Sequence, residues 1–414
     1  MRSLELLSPA GDLERLKFAV LFGADAVYVG GESFGMRSAP KNFTLEQLAE
    51  GARFAHARGV KLYLTLNTVP TNSEIDLLPE YLTEVRSTGV DAFIISDLGV
   101  LSIAKQYAPE IPVHLSTQAG IANYAAARAA YDLGASRVVL ARELTLRDIA
   151  EIRAKTPQEL ELEAFVHGAM CMSFSGRCLL SHYLTGRDAN RGECTQPCRW
   201  PWRIEASPAT ENHPRMARCF DVAEDENGSY ILNANDLCTA PFLDLIAAAG
   251  VTSFKIEGRA KTFYYVASVT SAYRRALDAV AAAPDEFVCP DAVLEELTRT
   301  SHRSYSPGFY FSRDDAVQNT RRGGYIREWE VVGIVDNAEQ GVLYCEQRGK
   351  FNLGDTLEAL PPRGDAVTFT PEWIRNAEGE EISATPHAQM LFSVPCELEL
   401  PPYTILRKRI AANK

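Results

Sequence analysis

Short apolar runs alternate with longer amphipathic stretches up to about residue 283 of the chain. Apolar runs of four to eight residues predict buried strands, and apolar residues recurring every three or four positions predict helices. The predicted strands are Leu4–Leu7, Ala26–Val29, Lys61–Asn67, Ala92–Ser96, Val113–Gln118, Arg137–Ala141, Leu160–Val166, Tyr230–Asn233 and Ser253–Ile256. The predicted helices are Asp12–Phe22, Thr44–Ala57, Ile75–Ser87, Leu98–Tyr107, Tyr124–Leu133, Leu146–Lys155, Pro241–Ala249 and Phe263–Ala282. Eight or nine such units favour a TIM-like (β/α)8 barrel, which takes roughly 250 residues.

The alternative is a doubly wound open sheet, because that fold uses the same strand–helix units. No Gly-x-Gly-x-x-Gly segment follows the first strand, so we favour the barrel. We predict a catalytic barrel domain over residues 1–283, with a cysteine-rich insertion at about 168–228. A connecting segment follows over 284–328. Short apolar strands with turn residues between them then predict a small C-terminal antiparallel β-barrel domain over 329–414.

Four of the nine cysteines lie in the stretch 165–198, which begins the predicted insertion, with six, fifteen and three residues between successive members. These are Cys171, Cys178, Cys194 and Cys198. Four thiols fit a structural zinc site, although zinc sites usually contain Cys-x-x-Cys pairs. They also fit an iron–sulfur cluster, whose ligands are spaced more loosely. The spacing leaves both open.

Composition and charge narrow the class of protein. The 414-residue chain has 46% hydrophobic residues and a net charge of −12, which counts against a protein that coats nucleic acid. Contact with RNA would have to come from local basic clusters, such as Arg321 with Arg322 and the segment 407–409. We find no signal peptide and no apolar run of membrane-spanning length, so we predict a cytoplasmic protein. In that reducing compartment, clustered cysteines bind metals more often than they form disulfides.

Polar residues follow several of the predicted strands, at the end of the barrel where active sites lie. Arginine and lysine side chains there would bind an anionic small molecule, and carboxylates would orient them or transfer protons. We predict catalytic roles for His167, Glu257 and Arg142. We predict substrate-binding roles for Asn67, His114, Gln118, Glu143, Lys255 and Arg259.

Several segments resemble the collagenase-like peptidase family, above all the stretch EAFVHGAMCMSFSGRCLLSHYLTGRDANRGECTQPCRW. The resemblance extends to ELLSPAGDLERLKFAVLFGADAVYVGG, VHLSTQAGIAN, RVVLARELTL, SFKIEGRAKTFYYVASVTSAYRRALD and SHRSYSPGFYF. Within the family, the chain is most similar to proteins that form 5-hydroxyuridine at the tRNA wobble position. Those proteins depend on prephenate and on an iron–sulfur cluster. Sister branches hydroxylate a ribosomal RNA cytidine or act in oxygen-independent ubiquinone hydroxylation.

The resemblance implies an iron–sulfur cluster, expected to be 4Fe–4S, held by Cys171, Cys178, Cys194 and a fourth cysteine. Cys198 is the first choice for that fourth ligand, with Cys238 and Cys219 as alternatives. The resemblance also implies prephenate as co-substrate and the anticodon loop of tRNA as partner. We infer in addition that the positive groups at the barrel mouth hold this dicarboxylate.

The resemblance therefore implies a tRNA hydroxylase that forms 5-hydroxyuridine, with a hydroxylase of ribosomal RNA as the alternative within the family. Two further classes of function stay open. The family name implies a collagenase-like peptidase, but the chain contains neither His-Glu-x-x-His nor Gly-x-Ser-x-Gly. The last alternative is a non-catalytic cluster scaffold.

Overall fold

The barrel is formed by eight parallel strands. The computed structural model describes residues 4–34, 42–171, 173–176, 178–189, 193–200, 224–225, 228–229, 234–312 and 324–410. The barrel strands are β1 (Glu5–Pro9), β2 (Ala26–Gly30), β3 (Lys61–Leu66), β4 (Ala92–Ile95), β5 (Val113–Leu115), β6 (Arg137–Val139), β7 (Glu161–Ala169) and β11 (Ser253–Ile256). Each pairs with the next in that order, and β11 also pairs with β1, which closes the cylinder. The prediction of a (β/α)8 barrel is therefore confirmed.

Helices connect these strands and cover the outside of the barrel. They are α1 (Leu13–Leu21), α2 (Leu45–His56), α3 (Asn72–Ile75), α4 (Leu78–Val85), α5 (Leu98–Tyr107), α6 (Tyr124–Asp132), α7 (Leu146–Ala154), α9 (Leu243–Ala248) and α10 (Phe263–Ala282). Side chains cap several of them. Thr44 and Gln47 form the reciprocal capping box that the sequence indicates at the start of α2.

The insertion after β7 adds short elements beyond the barrel. They are α8 (Leu180–Thr185), β8 (Glu224–Asp225), β9 (Gly228–Ser229) and β10 (Asp236–Cys238). Strand β10 runs antiparallel to the end of β7, with Asp236 opposite Ala169 and Cys238 opposite His167. The eighth barrel strand is Ser253–Ile256, whereas the predicted strand Tyr230–Asn233 lies outside the described residues.

A helix and a short strand lead from the barrel to an all-β module. The helix is α11 (Asp291–Arg299), and β12 (Tyr305–Ser306) pairs with β10. The module contains β13 (Trp329–Glu339), β14 (Val342–Gln347), β15 (Leu357–Leu360), β16 (Val367–Phe369), β17 (Arg375–Asn376), β18 (Leu391–Pro395) and β19 (Ile405–Arg409). These seven strands form one antiparallel sheet in the order β16-β15-β19-β13-β14-β18-β17. A C-terminal antiparallel module is thus confirmed.

Apolar and ionic contacts join the module to the barrel. Phe18 of α1 and Tyr264 of α10 pack with Ile334 and Ile405 of the sheet in one buried cluster. Arg407 is fully buried beside this cluster, so it is unavailable to nucleic acid. The predicted RNA contact at 407–409 is therefore wrong for Arg407, and the predicted cluster at 321–322 lies outside the described residues.

Charged side chains fill part of the barrel interior. Arg137 forms ion pairs with Glu5 and with Glu163, the latter at 3.1 Å, and Lys255 pairs with Glu163 at 2.8 Å. Ser253 donates hydrogen bonds to both of these carboxylates. Such a network satisfies buried charges that would otherwise be costly to bury. In the described ranges, no helix is both long enough and apolar enough to cross a membrane.

Candidate active site

Arg142 crosses the mouth of the barrel from the end of β6 to the ends of β7 and β11. Its Nη1 donates to the Ala169 carbonyl oxygen at 2.8 Å, and its Nη2 pairs with Glu257 Oε2 at 3.3 Å. The guanidinium lies over the Phe165 ring, 3.8 Å from its centroid. Its Nε is buried without a hydrogen-bond partner in the described part of the chain. The structure thus brings Arg142 and Glu257 together at the predicted mouth.

Glu143 positions the cysteine-rich insertion. Its carboxylate accepts hydrogen bonds from the Ser175 backbone N–H at 2.6 Å and from the Ser175 hydroxyl at 2.7 Å. Ser175 is buried and has a φ of 45°, a left-handed conformation that needs such support. The bonds of Glu143 fix the turn between Cys171 and Cys178, so its position indicates a positioning role in place of the predicted substrate contact.

The insertion thiols are those of Cys171, Cys178, Cys194 and Cys198, and all four are free. Cys171 and Cys194 are exposed, and Cys178 and Cys198 are partly exposed. Burial of the sulfur raises the pKa of Cys198; Arg199 opposes this shift, and the thiols of the other three cysteines reinforce it. These effects mean that the other three thiols lie within electrostatic range of Cys198.

Backbone groups already point at two of these sulfur atoms. The Leu180 N–H donates to Cys178 Sγ at 3.4 Å, and the Gln196 N–H donates to Cys194 Sγ at 3.4 Å. Hydrogen bonds of this kind stabilise thiolates that bind metal. Within the described ranges, however, no three His, Cys, Asp or Glu side chains converge closely enough to hold a single metal ion.

Cys238 lies apart from this group. It is buried on β10, where the Tyr273 hydroxyl contacts its sulfur at 3.9 Å. Burial raises its pKa, and none of the four insertion thiols contributes to that shift. Burial raises the pKa of Cys289, and the charge of Cys238 raises it further. Cys219, the remaining alternative ligand, lies outside the described residues.

Three cations gather around Tyr325, at a place that the sequence analysis missed. Arg199 Nη1 donates to the Tyr325 hydroxyl at 3.1 Å. The Arg303 guanidinium and the Lys261 ammonium lie 4.8 and 4.5 Å from the centroid of the same ring. Arg199 is adjacent to Cys198 in sequence and also donates to the Met170 carbonyl oxygen at 3.4 Å. This group, which we call the Tyr325 cluster, therefore borders the cysteines.

Two predicted binding residues lie inside the barrel. Lys255 is buried and paired with Glu163, and its ammonium lies 4.6 Å from the centroid of the Tyr28 ring. His114 is also buried and packs edge-on against Tyr63 at 4.8 Å between ring centroids. Burial, assisted by Arg137, holds the pKa of His114 well below its usual value. These positions favour structural roles for both residues.

The other predicted binding residues lie at or just beyond the ends of barrel strands, and each contacts another polar side chain. Arg259 Nη1 donates to Thr65 Oγ1 at 2.7 Å. A Cβ atom on Gly30 would collide with this guanidinium, which explains the glycine at the end of β2. The Asn67 side-chain amide lies 3.5 Å from Gln118 Oε1. Asn67 and Gln118 thus sit together at the ends of β3 and β5.

The His167 side chain occupies an aromatic cage, although its backbone carbonyl accepts a hydrogen bond from the Glu257 N–H at 2.8 Å. Its ring centroid lies 5.3 Å from that of Tyr273 and 5.4 Å from that of Tyr305, and its Nδ1 is 3.3 Å from the Tyr273 hydroxyl. Burial lowers the pKa of His167 to about 3, with smaller contributions from Lys261 and His302. The imidazole is neutral at ordinary pH, and its surroundings favour packing over the predicted catalysis.

The fold defines a class of protein: a (β/α)8 barrel with a cysteine-rich insertion after its seventh strand, at the end of the barrel where enzymes of this fold keep their active sites. More specifically, the chain belongs to Peptidase family U32. The family's main domain matches residues 11–320, and the Peptidase family U32 C-terminal domain matches residues 327–407.

Relatives in the family carry different names. The chain is 36% identical to tRNA hydroxylation protein P1 of Bacillus subtilis (strain 168) over 408 residues, covering 98% of this chain and 94% of that protein. It is 40% identical over 277 residues to the 23S rRNA 5-hydroxycytidine C2501 synthase of Escherichia coli (strain K12), covering 67% of this chain and 40% of that protein. It is 32% identical over 389 residues to a collagenase of Porphyromonas gingivalis (strain ATCC BAA-308 / W83), covering 91% of each.

Proposed function

We propose that this protein hydroxylates uridine in tRNA, at the wobble position of the anticodon, as a cytoplasmic enzyme. The observation that carries the proposal is the match to a tRNA hydroxylation protein across 98% of this chain and 94% of that protein. An anticodon-loop base is a suitable substrate because it can leave its stack and enter a pocket at little cost.

Two other activities receive less support. The rRNA synthase matches this chain over only 40% of its own length, so much of that protein has no counterpart here. A peptidase with a serine or cysteine nucleophile would need a base such as histidine within hydrogen-bond reach. His114 and His167 are buried against Tyr63 and Tyr273, and these surroundings favour packing over activation of a nucleophile.

The insertion cysteines fit an iron–sulfur cluster in their chemistry. Three of these thiols act electrostatically on the fourth, Cys198, and two of the four accept N–H hydrogen bonds at sulfur, so they form a suitable set of ligands. A 4Fe–4S cube shares four thiolates among four iron atoms, so the thiolates need not meet at one point. Cys198 is the fourth ligand in this proposal, because its charge couples to the other three and that of Cys238 does not. Such a cluster supplies electron transfer.

The chain's own residues would bind and orient the small molecules. Prephenate is a dicarboxylate, and a guanidinium is suited to pair with a carboxylate through two N–H groups. Arg142 has an unpartnered Nε at the mouth, and Glu257 and Phe165 hold its guanidinium in place. Glu257 would hold a proton or orient a hydroxyl at the carboxylate that faces Arg142.

Nucleoside analysis of tRNA from a deletion strain tests the function. We expect 5-hydroxyuridine derivatives to disappear and to return with the wild-type gene. The Cys171→Ala gene should not restore them, whereas the Cys289→Ala gene should, since Cys289 lies apart from the insertion thiols. If the tRNA is unchanged and a hydroxycytidine is lost from ribosomal RNA instead, the protein is an rRNA hydroxylase and the tRNA proposal is wrong.

Anaerobic purification tests the cluster and its fourth ligand. The wild-type protein should be brown and absorb at roughly 400 nm, as thiolate-bound iron does. Cys171→Ala and Cys198→Ala should lose this absorption, and Cys238→Ala should keep it. A colourless protein with stoichiometric zinc would instead indicate the structural zinc site that four cysteines also allow.

A further inference from the structure

Arg303 is a buried cation with hydrogen-bonding capacity left over. It lies between α11 and β12, and only 5% of the residue is exposed. Its Nε and Nη1 have no hydrogen-bond partner in the part of the chain that the structure describes. Its backbone N–H donates to Asp236 Oδ2 at 3.0 Å, so the contact with that carboxylate does not involve the guanidinium. Burying a guanidinium with unpaired N–H groups costs free energy unless a ligand supplies a hydrogen-bond acceptor.

The neighbours of Arg303 increase this cost. Arg199 and Lys261 lie at the same tyrosine, Tyr325, and their positive charges repel that of Arg303. Burial lowers the pKa of Arg303, and Arg199 lowers it further, while Tyr325 and Asp236 oppose both effects. A fold gains nothing from collecting three cations in this way, so the arrangement indicates an anion that is bound during function.

We propose that the Tyr325 cluster binds the carboxylate of a small co-substrate, with the Arg303 Nε and Nη1 groups as its principal donors. A guanidinium presents two parallel N–H groups that match the two oxygens of a carboxylate. Asp236 Oδ1, also buried without a partner in the described ranges, would accept a hydroxyl of the same molecule. Identifying the co-substrate as prephenate rests on the proposed function.

The burial of Arg303 favours a small carboxylate over an RNA phosphate as the ligand of the Tyr325 cluster. A backbone phosphate of RNA binds to exposed cations along a surface, whereas Arg303 is almost wholly covered. The cysteine insertion borders the cluster, since Arg199 follows Cys198 and the charge of Cys198 acts on Arg303. A molecule held here therefore lies beside the proposed iron–sulfur cluster, where an oxygen donor has to react.

Isothermal titration calorimetry with prephenate, on anaerobically purified full-length protein, tests the subsite. Arg303→Met should weaken binding by about tenfold or more, because a charge-assisted hydrogen-bonded pair is lost. The matched control is Arg58→Met, which also removes a guanidinium stacked on an aromatic ring, that of Phe54 at 3.8 Å. Arg58 follows α2 at the opposite end of the barrel, so prephenate affinity should not change.

Two further measurements separate a binding role from a structural one. Without ligand, the Tm of Arg303→Met should equal or exceed that of the wild type, since the variant removes a repelled and unpartnered charge. A residue that holds the fold together would instead lower the Tm. The absorption at roughly 400 nm should also persist in this variant, since no cluster ligand is removed.

Several outcomes would overturn the subsite. One is that Arg303→Met and the wild type bind prephenate equally well, and another is that the wild type does not bind prephenate at all. The third is that Arg303→Met loses the iron–sulfur absorption as well as prephenate binding. Weakened binding of an anticodon-loop RNA, with prephenate affinity unchanged, would assign the cluster to phosphate instead. The proposed function is judged separately by tRNA nucleoside analysis, so Arg303-dependent prephenate binding with unchanged tRNA would retain the subsite and refute the function.

Discussion

Replacing Arg407 with methionine should destabilise the junction between barrel and C-terminal module more than any surface change. The Arg407 side chain is 0% exposed and pairs with Glu296 of α11 through two N–O contacts of 2.6 Å. It also donates from Nε to Glu358 of β15 at 2.8 Å. Without this guanidinium, two nearly buried carboxylates face each other. Breaking a buried ion pair in this way costs roughly 3–5 kcal/mol.

Arg299 limits the expected loss. Its Nη1 lies 3.3 Å from Glu296 and 3.0 Å from Glu358, so one positive charge remains between the carboxylates. We therefore expect about 3 kcal/mol, the lower end of the range for a broken buried pair. The control is Arg409→Met, because the Arg409 side chain is 72% exposed and pairs with Glu328, which is also exposed. An exposed pair of this kind contributes about 0–1 kcal/mol.

Urea unfolding followed by circular dichroism would measure both variants against the wild type. A midpoint for Arg407→Met no lower than that for Arg409→Met would refute the reasoning. A rescue variant provides a second check. Changing Glu296 and Glu358 to glutamine in the Arg407→Met background removes the facing charges, so it should recover more than half of the lost stability.

Three more substitutions test other parts of the structure. Lys255 and Arg137 hold the pKa of Glu163 below its usual value, although burial opposes them. The ionised Glu163 therefore adds to the free energy of unfolding above about pH 4.3, and this stabilisation is lost as the pH falls through the lower folded pKa. Glu163→Gln should therefore flatten the acid limb of a stability–pH curve, and an unchanged limb would contradict this. The folded His167 imidazole stays neutral to about pH 3, whereas an unfolded one gains a proton below roughly pH 6.5, so acid destabilises the fold by up to about 1.4 kcal/mol per pH unit. His167→Phe should remove this loss of stability. tRNA hydroxylation should persist in the variant, and its loss would support the catalytic prediction. Gly168→Ala should lower the urea midpoint more than Gly186→Ala. Both glycines have positive φ, but a Cβ at Gly168 would lie 2.7 Å from the Glu257 carbonyl oxygen, whereas a Cβ at Gly186 would meet nothing within 4 Å. Equal losses would refute the steric argument.

The barrel could be predicted because each of its units is local. A buried strand and the amphipathic helix after it leave their pattern within about 30 residues, and a capping box such as Thr44 with Gln47 marks where a helix begins. The eighth strand was less clear, since two apolar runs competed for it. Only strand pairing decides between such runs, and Ser253 pairs with both Glu5 and Glu163.

The candidate site was predicted only in part, because its contacts are long-range. Arg142 and Glu257 were both expected at the mouth, and they meet although 115 residues separate them. Lys255 was placed at the mouth, yet it lies within β11 and points into the barrel, as the two-residue period of a strand requires. The Tyr325 cluster combines residues from three distant segments, and no local pattern marks such a group.

The way in which the insertion is attached determines how the cysteine variants should be interpreted. Glu143 holds the Ser175 turn inside the first cysteine loop, and Arg142 holds the Ala169 carbonyl just before that loop, so the barrel fixes the start and the middle of the loop. Cys171 itself is exposed and lies outside the buried core. Losing its thiol should therefore leave the barrel folded. A Cys171→Ala protein that unfolds cooperatively like the wild type but lacks iron would assign its defect to the cluster.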